Sequence, residues 1–378
     1  MKAVEFSIRR RILLPDSNQT SPSLQEIRGR LTASRRVFVI GLVLLAIVSF
    51  LSVLGATGIG HLQIPWETVM AAIGEGLGLY PAGSVERTPL VVVFDIRLSR
   101  VILSFLVGSA LGVAGAVFQG VLRNPLADPF TIGVASGAAF GAALAFTLGL
   151  GGASYLGLGI IPLLALVGAL GALALVVILG RVQGRLRRDT MVLAGIVVAT
   201  FLSALIALIK ALDEEAVSAI VFWVMGSFQG RGWIHVAFSL PYLLLGLYLV
   251  ARCARELDIM TMGEVQARQL GVEVERVRRR LLVGASLLTA AAVSVSGVIG
   301  FVGLVVPHLV RMTIGAAHQR LMVFSGLLGG LALLWSDVVS RTLLPGGEEL
   351  PVGVVTALVG GPFFCLLLKR RRGGAILD

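Results

Sequence analysis

The sequence contains little charge for its length. Of its 378 residues, 14% are Asp, Glu, Lys or Arg and 56% are hydrophobic, whereas a soluble domain usually carries about 25% charge. Apolar runs recur along the whole chain and provide more apolar surface than one soluble core could bury. Their natural solvent is a bilayer, which a helix of about 20 apolar residues can span. The composition therefore predicts a membrane protein and argues against a soluble Leu- and Ala-rich helical protein.

Lysine, histidine and cysteine are scarce as well. None of the lysines (Lys2, Lys210 and Lys369) closes a G-x-x-x-x-G-K-[ST] phosphate loop, so we do not expect this chain to bind ATP through such a loop. The four histidines are scattered and form no H-E-x-x-H zinc motif. Cys253 and Cys365 provide no disulfide framework. A membrane enzyme would need a clustered catalytic set, which we do not find in the sequence.

The basic residues are almost all arginines, and the formal net charge is +11. A nucleic-acid-binding protein could carry such a charge, but here the arginines cluster at the ends of apolar runs, as in cytoplasmic loops of membrane proteins. Residues 1–36 are polar and basic, and the apolar run at 37–57 is long enough to span a membrane. We interpret that run as an uncleaved first helix, preceded by a cytoplasmic tail rather than by a signal peptide.

The apolar pattern predicts an all-α integral membrane protein with about ten transmembrane helices. The ten apolar segments lie at 37–57, 98–122, 130–150, 160–180, 191–211, 233–251, 281–297, 302–314, 321–343 and 352–369, and a shorter stretch at 216–228 resembles a half-helix. With the N-terminus inside, the inside loops contain most of the arginines, and the outside segments contain the acidic runs at 213–215 and 346–349. This bias predicts that both termini are cytoplasmic.

The pattern predicts one transmembrane domain at residues 37–372, with the basic tail 1–36 before it and a C-terminal tail, 373–378, after it. Small residues four apart, at 108–112 and 133–141, predict close contacts between helices.

Few ionisable residues lie inside the apolar segments. Asp337 and Arg341 are four residues apart, which places both on one face of a helix, and we interpret them as a paired charge near its outer end. His308 follows Pro307 and is interpreted as structural. A proton-coupled secondary transporter would need buried carboxylates of its own, and it remains a distant alternative.

The loop 252–280 is the longest inside loop. Gly263 and Gly271 divide it into short helical pieces with Leu, Met and Val on one side. Two interpretations remain open, namely a solvated amphipathic loop and a docking surface that seats short helices in the groove of a cytoplasmic partner.

Several long stretches resemble one family, the FecCD-type permeases of ABC importers for vitamin B12, haem and ferric siderophores. The first is "DIRLSRVILSFLVGSALGVAGAVFQGVLRNPLADPFTIGVASGAAFGA". The others are "MGEVQARQLGV", "GVIGFVGLVVPHLVRM" and "ELPVGVVTALVGGPFFCLLLKRRR". The resemblance implies a BtuC-like subunit of ten helices in the bacterial inner (cytoplasmic) membrane. It also implies a homodimer with a pathway along its axis.

The resemblance further implies two copies of an ABC ATPase subunit below the dimer and one periplasmic or surface binding protein above it. The chain itself would be no enzyme and would bind no cofactor or metal, because ATP and Mg would lie on the partner ATPase. The missing phosphate loop agrees with that division of labour.

The resemblance also assigns roles to individual residues. Arg97, Arg100 and Arg341 match arginines that receive acidic residues of the binding protein, although Ser99 stands where the family usually has proline. Asn124 and Leu126 match a cytoplasmic gate, with a purely structural turn as the alternative. ATPase coupling falls to Leu257, Met262, Gly263, Ala267, Leu270, Gly271 and Val272.

The family does not fix the substrate, because selection lies mainly in the binding protein. An iron chelate, with haem slightly favoured over a ferric siderophore, is preferred to cobalamin only because such members are more common.

Overall fold

The structure, a computed structural model, describes residues 24–152, 154–155 and 158–374. The predicted tails therefore lie partly outside the described residues, at 1–23 and 375–378. The rest of the N-terminal tail is helical, because the first helix begins at Leu24. By its internal contacts the chain divides into two compact units, residues 1–44 and 45–378, and the helix packing described below is that of the second unit.

The described residues form fourteen helices and two short hairpins. The first seven helices are α1 Leu24–Gly58, α2 Trp66–Gly76, α3 Arg87–Leu122, α4 Val134–Thr147, α5 Ile160–Leu179, α6 Arg188–Leu212 and α7 Glu214–Met225. The other seven are α8 Trp233–Arg252, α9 Ala254–Met262, α10 Glu264–Gln269, α11 Val274–Ser296, α12 Val302–Ile314, α13 His318–Thr342 and α14 Val352–Gly374.

The hairpins are antiparallel and minimal. Strand β1, Ser154–Tyr155, pairs with β2, Leu158–Gly159. Strand β3, Arg181–Val182, pairs with β4, Arg185–Leu186, between α5 and α6. The fold is otherwise α-helical, as predicted.

Among the described residues, seven helices are long and apolar enough to cross a membrane, and three shorter helices are also apolar. Each of the ten predicted apolar segments coincides with one of these helices. The seven long helices are α3, α5, α6, α8, α11, α13 and the part of α1 from Arg36 to Gly58. The three shorter helices are α4, α12 and the part of α14 up to Leu366. The predicted half-helix is α7.

Residues 58–97, which lie between the first two predicted apolar segments, are largely helical. It contains α2 and the first eleven residues of α3, whose stretch Val91–Leu98 is π-helical. Asp95 and Arg97 therefore lie within a helix and not at its end. The apolar run "VVVF" before Asp95 continues the helix through these two charges. At 1.5 Å per residue, the 36 residues of α3 span about 54 Å, well beyond the roughly 30 Å of a hydrocarbon core.

Helices α3 and α13 pack antiparallel with their backbones in close approach. A Cβ atom added to Gly108 would lie 2.3 Å from the carbonyl oxygen of Gly329, and one added to Gly112 would lie 2.2 Å from that of Ser325. The predicted small-residue contacts are thus confirmed here, and those of 133–141 are met between α4 and α5, where Gly137 faces the Gly168 carbonyl. This packing brings the start of α3 to the end of α13, and the reverse.

Candidate functional site

At one end of the α3–α13 pair, a buried acid is surrounded by arginines. Arg100 donates from Nε and Nη2 to the Asp337 carboxylate at 2.9–3.1 Å, and from Nη1 to Glu349 Oε1 at 2.9 Å. Arg341 Nε lies 3.9 Å from Asp337 Oδ2, so the predicted pairing of these two residues is confirmed. Together with Arg97 these residues form what we call the Asp337 cluster.

The three arginines predicted to receive the binding protein all lie in the Asp337 cluster, but they are only 5–6% exposed. Arg97 donates to the carbonyl oxygens of Gly58 and Leu62 at 3.2 and 2.5 Å. Arg341 Nη2 donates to the Ala56 carbonyl at 2.7 Å. Each guanidinium therefore already has acceptors within this chain.

At the other end of α3, residues 123–129, which we call the RNPLADP turn, form a compact structure. Arg123 is left-handed, with φ 49°, and Asn124 N donates to the Gln119 carbonyl at 3.1 Å, which closes the helix end. Asn124 Oδ1 accepts from Leu126 N at 2.9 Å, a turn that bridges Pro125. Both predicted gate residues are exposed, and the Leu126 side chain is not needed for the turn.

Two further residues fix the RNPLADP turn. Arg123 Nη2 donates to the carbonyl oxygen of Met260, near the C-terminal end of α9. Asp128 accepts from Phe130 N at 2.8 Å and so caps the 3-10 turn Pro129–Ile132. Burial raises the pKa of Asp128 to about 6, against the opposing effect of that hydrogen bond. The turn is therefore attached to α9, a contact that the sequence did not reveal.

Helices α9 and α10, joined by Gly263, and the turn that follows them form residues 254–272, which we call the coupling piece. Gly263 separates the two helices with φ 151°, and Gly271 follows them with φ 81°, so the predicted division at both glycines is confirmed. Leu257 and Ala267 are fully buried and Val272 is half-buried.

Other apolar side chains of this region point to solvent. Met262, Val265 and Leu270 are 72%, 66% and 64% exposed. Two of them were among the predicted coupling residues, and Val265 was not. Exposure of apolar side chains to water is unfavourable, and three such side chains lie within nine residues here. This pattern is typical of a surface that contacts a partner.

Ionic contacts attach the coupling piece to the membrane-spanning helices. His318, the first residue of α13, pairs with Asp258 at 2.6 Å. Glu264 pairs with Arg278, which is 1% exposed, and with Arg188 at 3.1 Å. Arg278 also donates to the Leu186 carbonyl of β4. We call Arg188, Glu264, Glu275 and Arg278 the Arg278 cluster.

The charge of Glu264 is stabilised in this environment. Burial alone would raise the pKa of its carboxyl group, but the guanidinium groups of Arg278, Arg188 and Arg268 outweigh burial and hold that pKa below its usual value. The pairing joins the coupling piece to the first residue of α6 and the second turn of α11. No local sequence signal could have found it, because the partners are 14 and 76 residues from Glu264.

The geometry favours a structural link between two groups of charged residues over a site for covalent chemistry. Within residues 24–152, 154–155 and 158–374, no three His, Cys, Asp or Glu side chains are grouped as metal ligands. The two charged ends are joined instead by α3 and α13, with Arg100 and Asp337 at one end and Arg123 and His318 at the other.

Comparison with known proteins shows the family to which the chain belongs. The FecCD transport family matches residues 44–370. The chain is 40% identical to the cobalamin import system permease protein BtuC of Halobacterium salinarum, over 83% of this chain and 82% of the relative. It is 41% identical to the hemin transport system permease protein HmuU of Yersinia pestis, over 74% of this chain and 83% of the relative.

A solved structure is similar throughout. It is of an ABC transporter assigned to the metal-chelate type, in an inward-facing conformation, with a TM-score of 0.74 and 30% identity over 89% of this chain and 99% of that one. The match over most of the chain, with the helices and contacts described above, shows that the protein belongs to the FecCD transport family and is a multi-pass permease of the ABC importer type.

Proposed function

We propose that this permease imports an iron chelate, with haem slightly favoured over a ferric siderophore. Its likeness to a hemin permease and to a metal-chelate type transporter supports this substrate class. Cobalamin is the second candidate, because the cobalamin permease relative has about the same identity, 40% against 41%, over a larger share of this chain, 83% against 74%.

The proposed assembly is a homodimer of subunits with about ten spans each, with both termini cytoplasmic, in a bacterial inner membrane. Two ATPase subunits bind the cytoplasmic face and carry ATP and Mg, and a binding protein delivers the substrate to the opposite face. The arginine-rich inside loops support this orientation.

The observation that carries the proposal is the coupling piece. It exposes Met262, Val265 and Leu270 while Asp258 and Glu264 attach it to α13, α11 and α6. In our proposal the ATPase binds the three apolar side chains and displaces the coupling piece during its cycle. Through Arg123 this displacement reaches the RNPLADP turn, where Asn124 and Leu126 form the gate with their symmetry mates.

At the other end, docking would use the Asp337 cluster. Because Arg100 is already paired with Glu349, an acidic residue of the binding protein would compete with Glu349 for that guanidinium. Such an exchange of partners favours orientation and specificity over raw affinity. A proton-coupled secondary transporter is less well supported, since Asp337 is fully buried and already held by Arg100 and Arg341.

The coupling proposal is tested by a triple variant, M262S/V265S/L270S. We expect the cognate ATPase to stop co-purifying with it. The matched control is L77S/L79S, which changes exposed apolar residues 60% and 74% accessible on the predicted outer side. Full retention of the ATPase by the triple variant would remove the coupling piece from the interface.

The substrate is tested on the partner that selects it. The cognate binding protein should be purified from cells and its absorption spectrum taken. A haem Soret band or a siderophore charge-transfer band would support the iron-chelate proposal, and a corrinoid spectrum would replace it with cobalamin.

A further inference from the structure

A cleft of about 600 Å³ opens between the β3–β4 hairpin and the residues that follow α10. It shares Glu275 with the Arg278 cluster, and its lining contains none of the exposed apolar residues Met262, Val265 and Leu270. Its charged lining consists of four arginines and two glutamates: Arg181, Arg268, Arg276, Arg279, Glu273 and Glu275. Positive charge therefore exceeds negative charge by two.

The excess resides on two particular side chains. Arg276 pairs with Glu273 at 3.0 Å, and Arg268 lies 4.0 Å from Glu275. The guanidinium groups of Arg181 and Arg279, in contrast, make no ion pair or hydrogen bond with the residues that the structure describes, and both side chains are exposed. Two uncompensated guanidinium groups thus line one concave site.

The cleft lies at the level where a membrane span ends. Arg181 comes two residues after Leu179, the last residue of the apolar helix α5. Arg279 comes two residues before Leu281, where the uncharged part of α11 begins. The adjoining turns of both helices expose apolar side chains, namely those of Ile178, Leu179 and Val283. A ligand held here would meet cationic groups at its polar end and an apolar surface beyond them.

We propose that this cleft, here called the arginine cleft, binds the phosphodiester of an anionic phospholipid. The planar guanidinium group of arginine matches phosphate oxygens in paired hydrogen bonds. Basic pockets between spans on the cytoplasmic side are suited to anionic headgroups. The exposed apolar side chains next to the cleft favour a lipid over free phosphate, because they offer a place for acyl chains. The inference rests on the proposed function only for the cytoplasmic orientation of this face.

The ligand is tested by native mass spectrometry of the purified permease, without ATPase or binding protein, using phosphatidylglycerol and phosphatidylcholine as probes. Phosphatidylglycerol should be retained preferentially. In R181Q/R279Q its affinity should fall about fivefold for each arginine removed. The matched control is R252Q/R280Q, which removes two exposed arginines outside both the cleft and the coupling piece, and it should bind like wild type.

Three results would overturn the proposal: equal retention of both lipids, unchanged phosphatidylglycerol binding by R181Q/R279Q, or displacement of the lipid by millimolar inorganic phosphate. R181K/R279K serves as a second variant that keeps the charge. It should retain phosphatidylglycerol more tightly than the glutamine pair, and a lysine pair as weak as the glutamine pair would also contradict the proposal.

Co-purification of the ATPase with the same variants separates the two proposals. If R181Q/R279Q loses the ATPase but keeps phosphatidylglycerol, the cleft belongs to the ATPase interface and the lipid proposal is wrong. If the permease never binds an ATPase, the proposed function fails, while the lipid measurement, which needs no partner, remains valid.

Discussion

Replacing Asp337 by Asn tests whether the Asp337 cluster fixes α13 against α3. Asp337 is fully buried, and its carboxylate accepts three hydrogen bonds from Arg100 within 3.1 Å. Asparagine has nearly the same shape but neither the charge nor the second acceptor oxygen. The substitution therefore leaves the geometry in place and leaves Arg100 and Arg341 buried without their shared counterion.

The magnitude follows from the cost of an unpaired buried charge. Removing one partner of a buried ion pair destabilises a protein by about 3–5 kcal/mol. Glu349 still lies 2.8 Å from Arg100 Nη2, so we expect the lower end, about 3 kcal/mol. At roughly 2 °C per kcal/mol for a large chain, the unfolding midpoint should fall by about 6 °C.

The assay is thermal unfolding of the purified permease in detergent, with D95N as the matched control. Asp95 is an exposed acid of the same helix as Arg100 and has no ion pair among the described residues. In a double-mutant cycle, R100M/D337N should lose less stability than the sum of R100M and D337N, because the pair is then removed together. Strict additivity, or a D337N midpoint within about 1 °C of wild type, would refute this account.

Three other substitutions address separate contacts. G112A should destabilise by about 1–3 kcal/mol through overpacking, because its Cβ would lie 2.2 Å from the Ser325 carbonyl, whereas G171A, with open space around it, should leave the unfolding midpoint unchanged or higher. R278M should weaken the attachment of the coupling piece by about 1–3 kcal/mol. Relative to wild type, the rate of hydrogen exchange should then increase in α10 and stay unchanged in α8. The folded pKa of Asp128 is raised to about 6, above its unfolded value of about 3.9, so the contribution of Asp128 to the free energy of unfolding is largest below about pH 4 and is lost as the pH rises towards 6. D128N keeps an acceptor for Phe130 N and should therefore unfold at a higher temperature than wild type at pH 7 but not at pH 4, and equal gains at both would contradict the assignment.

Hydropathy and local spacing were enough to predict much of the fold. All ten apolar segments coincide with helices, because burial in lipid imposes a pattern that tertiary contacts do not override. The pairing of Asp337 with Arg341 was also predictable, since the two residues are one helical turn apart. The start of α3 was not, because the apolar segment begins only at residue 98 while the helix begins at Arg87 and includes Asp95 and Arg97.

The contacts that organise the site are long-range and escaped sequence reasoning. Arg100 and Asp337 are 237 residues apart, and Arg123 meets Met260 across 137 residues. The sequence shows which residues are charged. It does not show that the predicted docking arginines are buried and bonded to acceptors of their own chain. The divisions at Gly263 and Gly271 were predicted correctly, because a glycine with positive φ changes the direction of the chain locally.

The path between the two ends of the molecule is constrained by α3. Arg100 and Arg123 are 23 residues apart, about 34 Å along a helix, and a hydrogen-bonded helix does not shorten to carry a signal. At Gly108 and Gly112 the backbone of α3 lies directly against that of α13, so these two helices should move as one body. A signal from the Asp337 cluster to the coupling piece therefore requires a tilt of the α3–α13 pair against α11 and α6. Arg123 and His318 attach the coupling piece to the α3–α13 pair, whereas Arg278 and Arg188 attach it to α11 and α6. A tilt of the pair against α11 and α6 must therefore break the contacts Glu264–Arg278 and Glu264–Arg188.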